Sequence, residues 1–174
     1  MQNFIIKITQ ENYNMLQHKE IGCFILGTDL SENFVKEFID KAHQNEQLCL
    51  IYGENFTGSY KEYGADGVVL DLSKNANPKI EIKEFKKNNK DALLGIITRN
   101  RRHESMLISE EEPDFIIFKF WKDGFDENLA LLEWYNEFFL IQNAVLPVED
   151  IDLQKIKSDF LILDDIRYNI FVAK

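Results

Sequence analysis

The chain is 174 residues long, carries 20 Lys and Arg against 30 Asp and Glu for a formal net charge of −10, and is 45% apolar and 29% charged. That length and mixture suit one globular core needing no disulfide or metal staple. An acidic surface repels a phosphate backbone, no apolar run approaches the roughly 20 residues of a spanning helix, and the start lacks the basic-then-apolar layout of a signal peptide, so the expectation is a cytoplasmic protein that binds neither nucleic acid nor membrane.

Short apolar runs recur in chain order: Phe4–Ile8, Ile21–Leu26, Leu48–Tyr52, Gly67–Leu70, Leu93–Ile97, Phe115–Phe118, Phe138–Ile141 and Phe160–Leu163. Each is short and nearly unbroken by charge, which marks strands buried on both faces, as in a parallel sheet. Between them lie helical patterns. Ser31 is placed to cap a helix with Phe34, Val35, Phe38, Ile39 and Ala42 on one face. Residues 79–89 carry Ile82 and Phe85, Asp126 is placed to cap a segment with Leu129, Leu132 and Trp134, and residues 148–157 carry Val148, Ile151 and Ile156. Residues 10–18 read as a weak first helix. Alternation of strand and helix argues for an α/β fold with right-handed crossovers. Eight strands fit a small (β/α)8 TIM-type barrel with short connections over residues 1–174. The objection is length, since such barrels usually need about 200 residues or more, and a doubly wound open sheet is the alternative. Cys23 and Cys49 sit in strand-like runs and read as buried free thiols.

Tyr63-Gly64-Ala65-Asp66-Gly67-Val68-Val69-Leu70 resembles the "GADGVHL" strand start of the thiamine phosphate synthase family. Asp29-Leu30-Ser31, Leu94-Gly95-Ile96-Ile97-Thr98 and Glu112-Pro113-Asp114-Phe115-Ile116-Ile117-Phe118 resemble further family segments in the same order. The resemblance runs from about residue 20 to about residue 165. It implies a barrel whose strand ends join a pyrimidine diphosphate to a thiazole phosphate, with Mg2+ and release of pyrophosphate.

Residue by residue, most of that machinery departs from the family pattern. Leu26-Gly27-Thr28-Asp29 offers no cation after strand two. Glu54 and Asn55 stand where the family has a magnesium ligand after strand three, and Asp71 comes early for the next one, with Ser73-Lys74 in the expected place. Thr98 matches a diphosphate-binding position. Lys119 and Lys122 follow strand six without the family's prolines, Asn143-Ala144-Val145-Leu146-Pro147 replaces a Gly-Gly phosphate loop, and Asp164-Asp165-Ile166-Arg167 replaces a phosphate-binding turn. Glycines let backbone N–H groups converge on an anion, and carboxylates repel it. The thiazole-phosphate pocket is therefore expected to be damaged or absent.

Thr98-Arg99-Asn100-Arg101-Arg102-His103 stands out against the acidic background and leads into a helix. Phosphate-binding candidates are Thr98, Arg99, Arg101, Arg102, Lys119 and Lys122, set against a bland reading in which the arginines pair with Glu104 and Glu110–Glu112 on a solvated face. Metal candidates are Glu54, Asn55 and Asp71, with Asp29, Asp164 and Asp165 on the same expected rim. Trp121 and Trp134 read as core or an oligomer face, which leaves a homo-oligomer open. The leading expectation is a catalytically degenerate relative of the family that binds a phosphorylated small molecule or a partner protein. The alternative is an active, Mg2+-dependent synthase.

Overall fold

The computed structural model describes residues 1–52 and 60–174. Eight parallel strands close into a barrel in sequence order, with β8 pairing back onto β1. The strands are β1 (Asn3–Ile8), β2 (Cys23–Leu26), β3 (Leu48–Tyr52), β4 (Gly67–Asp71), β5 (Leu93–Thr98), β6 (Phe115–Phe120), β7 (Gln142–Pro147) and β8 (Phe160–Leu163). The described helices are α1 (Glu32–Gln44), α2 (Pro78–Asn88), α3 (Arg102–Ser109), α4 (Phe125–Phe138) and α5 (Asp165–Val172). The length objection is met by economy. The crossovers after β1 and β7 hold only single 3₁₀ turns, Asn14–Gln17 and Leu153–Lys155. No helix among the described residues is long and apolar enough to cross a membrane.

The charge-free runs follow from burial on both faces. Alternate residues point into the barrel, where Ile5, Ile25, Leu50, Val69, Ile97, Ile117, Ala144 and Ile162 form the inner core. Their neighbours, such as Ile6, Phe24, Val68, Ile96, Phe118 and Leu161, pack outward under the helices. Ser31 caps α1 as expected, its Oγ accepting from Phe34 N–H at 3.4 Å.

One latch recurs at the N-terminal ends of three even-numbered strands. Asp66, just before β4, accepts the backbone N–H of Cys49 at 2.8 Å. Asp114, before β6, accepts that of Leu94 at 2.7 Å, and Asp159, before β8, accepts that of Asn143 at 2.8 Å. Each carboxylate ties its strand to the preceding one.

The expected strand Phe138–Ile141 is corrected. Phe138 ends α4, and the strand is Gln142–Pro147, displaced along the chain. The most apolar run is a helix end and its exit, with Leu140 fully exposed. The true strand hides its polarity: buried Asn143 donates through Nδ2 to Asn136 Oδ1 at 2.6 Å and accepts the Asp159 N–H at 3.2 Å. Its proline sits at the strand's last position, where the missing donor is tolerated. Asn143-Ala144-Val145-Leu146-Pro147 is thus strand rather than the loop that follows it, and that loop opens with Val148-Glu149-Asp150, also without glycine. Two helices are corrected too: residues 10–18 and 148–157 form 3₁₀ turns. Gly124, at φ 71°, precedes α4, so Asp126 lies in the first turn rather than at the cap.

Candidate functional site

The inward-facing rows end at the C-terminal mouth of the barrel, where such folds build their sites. They place Lys7 of β1, Tyr52 of β3, Asp71 of β4, Lys119 of β6 and Leu146 of β7 there, with Asp164 directly after β8. Lys119 Nζ donates to Asp71 Oδ2 at 2.9 Å, and Ser73 donates to Asp71 Oδ1 from Oγ at 2.6 Å and from its N–H at 3.1 Å. Burial pushes the Asp71 carboxyl up, but the Ser73 hydroxyl and the Lys119 ammonium outweigh it and hold it below its ordinary value.

Lys7 is differently placed. Its Nζ lies 5.1 Å from the centroid of the Tyr52 ring. Burial, and then the charge of Lys119, lower its pKa, while Asp164 and Asp29 pull the other way without prevailing. The Tyr52 phenol is pushed up to about 12 by burial and by Asp71. A cavity of about 360 Å³ opens here, bounded by Lys7, Thr9, Lys119, Trp121, Ile162, Asp164 and Arg167. A neighbouring cleft of about 270 Å³ shares Pro147 and Arg167 with it and runs between the β7–β8 connection and α5.

The residues singled out in the sequence are dispersed. Thr98 shares the outward row of Leu94 and Ile96, is 2% exposed, and donates its hydroxyl to the Arg99 carbonyl at 3.1 Å. Thr98 is thus buried on the helix side of the sheet, with its hydroxyl engaged. Arg99 Nε donates to the Ser73 carbonyl at 3.1 Å. Arg99 and Arg101 share Glu104, at 3.7 and 4.0 Å, and Arg101 is 67% exposed. Arg102 instead stacks on Trp134, 5.1 Å from the ring centroid. The bland reading of the arginines holds for Glu104, whereas Glu110 and Glu111 pair with Lys79 and Lys83 of α2. Lys122 is exposed, and its backbone N–H donates to Glu149 Oε2 at 3.1 Å. Of the six phosphate candidates, Lys119 is the one that lines the mouth cavity.

Glu54 and Asn55 lie outside the described residues. Among the described residues no cluster of three or more His, Cys, Asp or Glu could hold a metal ion, and both Asp71 oxygens already accept hydrogen bonds. The described residues therefore assemble no ready-made carboxylate cage for a divalent cation.

Asp164 caps α5, its Oδ1 accepting the Arg167 N–H at 2.8 Å. Its carboxylate thus occupies the helix N-terminus where the resemblance puts a phosphate-binding turn. Sequence reasoning missed Lys7, Tyr52 and the cavity wall formed by Trp121. Lys7 had a readable signal, being the single charge in its strand, two residues beyond Ile5 and so on the same inward row.

No protein-family model and no curated protein matches the chain. Solved structures do. A 3-keto-L-gulonate-6-phosphate decarboxylase from Vibrio cholerae aligns at TM-score 0.69 and 12% identity, over 94% of this chain and 88% of that one. A chain of the tryptophan synthase a2b2 complex of Pyrococcus furiosus aligns at TM-score 0.68 and 14% identity, over 99% and 90%. Citrate synthase SbnG aligns at TM-score 0.64 and 13% identity, over 99% and 89%. At such identities the likeness shows a shared fold, the TIM barrel.

Proposed function

We propose that the chain is a divergent, catalytically degenerate relative of thiamine phosphate synthase that binds a phosphorylated small molecule at the barrel mouth. The observation that carries this reading is the convergence of two ammonium groups, Lys7 and Lys119, on one cavity of about 360 Å³ in an otherwise acidic chain. Two cations in a partly desolvated concavity attract a dianion more strongly than exposed lysines do. The ordered family-like segments support the kinship. Degeneracy is supported by the glycine-free loop after β7, by the Asp164 carboxylate at the α5 N-terminus, and by the engagement of Asp71 with Lys119.

The test has two arms. The first mixes protein, magnesium, the pyrimidine diphosphate and the thiazole phosphate and follows thiamine phosphate, with an active synthase as control. The second titrates glycerol 3-phosphate into the protein by calorimetry. The expected result is no product, together with binding that Lys119→Met weakens. Product above background would establish the alternative, an active synthase. Absence of any binding would remove the mouth as a phosphate site.

A further inference from the structure

We propose that Lys7 is a nucleophilic amine that condenses with the carbonyl group of a small phosphorylated aldehyde or ketone seated in the barrel mouth. The proposal rests on the reading of the mouth as a site for a phosphorylated small molecule and names the class of that ligand.

Lys7 projects inward from the C-terminal end of β1 into the cavity it shares with Lys119, Trp121 and Ile162. The two ammonium groups of the mouth are not equivalent. Lys119 is paired with Asp71 at 2.9 Å, whereas Lys7 enters none of the ion pairs among the described residues and lies over the Tyr52 ring. An amine attacks a carbonyl only when neutral, and partial burial beside a second cation favours that form. Both conditions are met at Lys7. The groups that face it are Lys119 from β6, Tyr52 from β3, Asp29 after β2, and Asp164, Asp165 and Arg167 at the start of α5. Lys119, in its pair with Asp71, and Arg167, whose Nη1 donates to the Pro147 carbonyl at 2.5 Å, are the other cations that border the cavity.

The chemistry balances without an oxidant or reductant. The Lys7 nitrogen lone pair forms a bond to the carbonyl carbon as the C=O π pair moves onto oxygen. A proton passes from nitrogen to that oxygen, giving a carbinolamine. The C–O bond then breaks, oxygen leaves as water with a second proton, and the nitrogen lone pair completes the C=N bond.

The experiment traps the imine. Protein is incubated at neutral pH with glyceraldehyde 3-phosphate, reduced with sodium borohydride, and mapped by peptide mass spectrometry. Exposed Lys74 and Lys90 serve as internal controls. The expected result is a reduced adduct on Lys7 that forms faster than on Lys90, because burial and the neighbouring Lys119 favour the neutral amine. Lys7→Met and Lys7→Arg should both abolish it, and Lys7→Arg keeps the charge should the neutral variant fold poorly. Glycerol 3-phosphate, which has no carbonyl, separates the two readings. If it binds and Lys7 is labelled no faster than Lys90, the amine role is overturned and the phosphate site stands. If it does not bind and Lys7 remains unlabelled, both fail.

Discussion

Lys119 Nζ sits 2.9 Å from Asp71 Oδ2, which ties the end of β6 to the end of β4 across the intervening β5. Both side chains are about a quarter exposed, so the pair is neither fully screened nor fully desolvated. A double-mutant cycle with Asp71→Asn and Lys119→Met should give a coupling of about 1–2 kcal/mol in denaturant unfolding. The Asp71 carboxyl is held below its ordinary value. Its contribution is therefore present above the unfolded carboxylate range and lost as pH falls through the folded value. Acid unfolding of Asp71→Asn should accordingly lack that final step.

Lys7 carries the opposite sign. Its pKa is lowered on folding, so the unfolded chain holds its proton more tightly. Stability should rise with pH between the folded and unfolded Lys7 values. Lys7→Met should raise the melting temperature at pH 7, and the advantage should shrink as pH climbs towards 10. Equal melting temperatures at pH 7 would show that Lys7 is not destabilised in its pocket.

Asp164 both caps α5 and places a negative charge at the mouth. Asp164→Ala should cost about 1 kcal/mol of stability through the lost cap. Asp164→Asn keeps a capping oxygen and removes the charge, so it should cost less and tighten glycerol 3-phosphate binding. Calorimetry on the two variants separates these effects.

Two glycines differ in what surrounds them. A Cβ on Gly67 would lie 2.0 Å from the Leu93 carbonyl oxygen, a backbone atom. On Gly95 it would lie 2.4 Å from the Phe115 ring. Gly67→Ala should therefore cost about 3 kcal/mol or more, whereas Gly95→Ala should fall within about 1–3 kcal/mol as the ring shifts. Truncation by Phe115→Leu should rescue Gly95→Ala and leave Gly67→Ala unimproved.

Beneath α3 and α4, Ser109 Oγ and Tyr135 Oη share a buried hydrogen bond of 2.8 Å. Burial pushes the Tyr135 phenol up to about 12. Tyr135→Phe should cost about 1–3 kcal/mol, since it strands the Ser109 hydroxyl, and adding Ser109→Ala should recover part of that. Thermal unfolding of the three variants measures it.

The barrel was legible because buried parallel strands leave an unmistakable trace, runs such as Phe115-Ile116-Ile117-Phe118 without charge. It failed at β7 for a physical reason. Asn143 is buried yet satisfied by Asn136 and Asp159, a partnership that no local pattern displays, while Phe138-Phe139-Leu140-Ile141 is apolar but half outside the core. The site was less legible than the fold. The Arg99–Arg102 cluster is conspicuous in one dimension, yet its members part in space, with Arg99 on the Ser73 carbonyl, Arg101 beside Glu104 and Arg102 on Trp134. Lys7 is marked in sequence only as the single charge of its strand, and closure of the sheet is what brings it to Lys119.

The carboxylate latches of Asp66, Asp114 and Asp159 all lie at the opposite end of the strands from Lys7 and Lys119. What clamps the staves together is thus set apart from what meets a ligand. Such a vessel can have its rim recut, glycine by glycine and lysine by lysine, while the hoops below keep their grip. A lineage could abandon one chemistry and take up another without passing through unfolded ancestors.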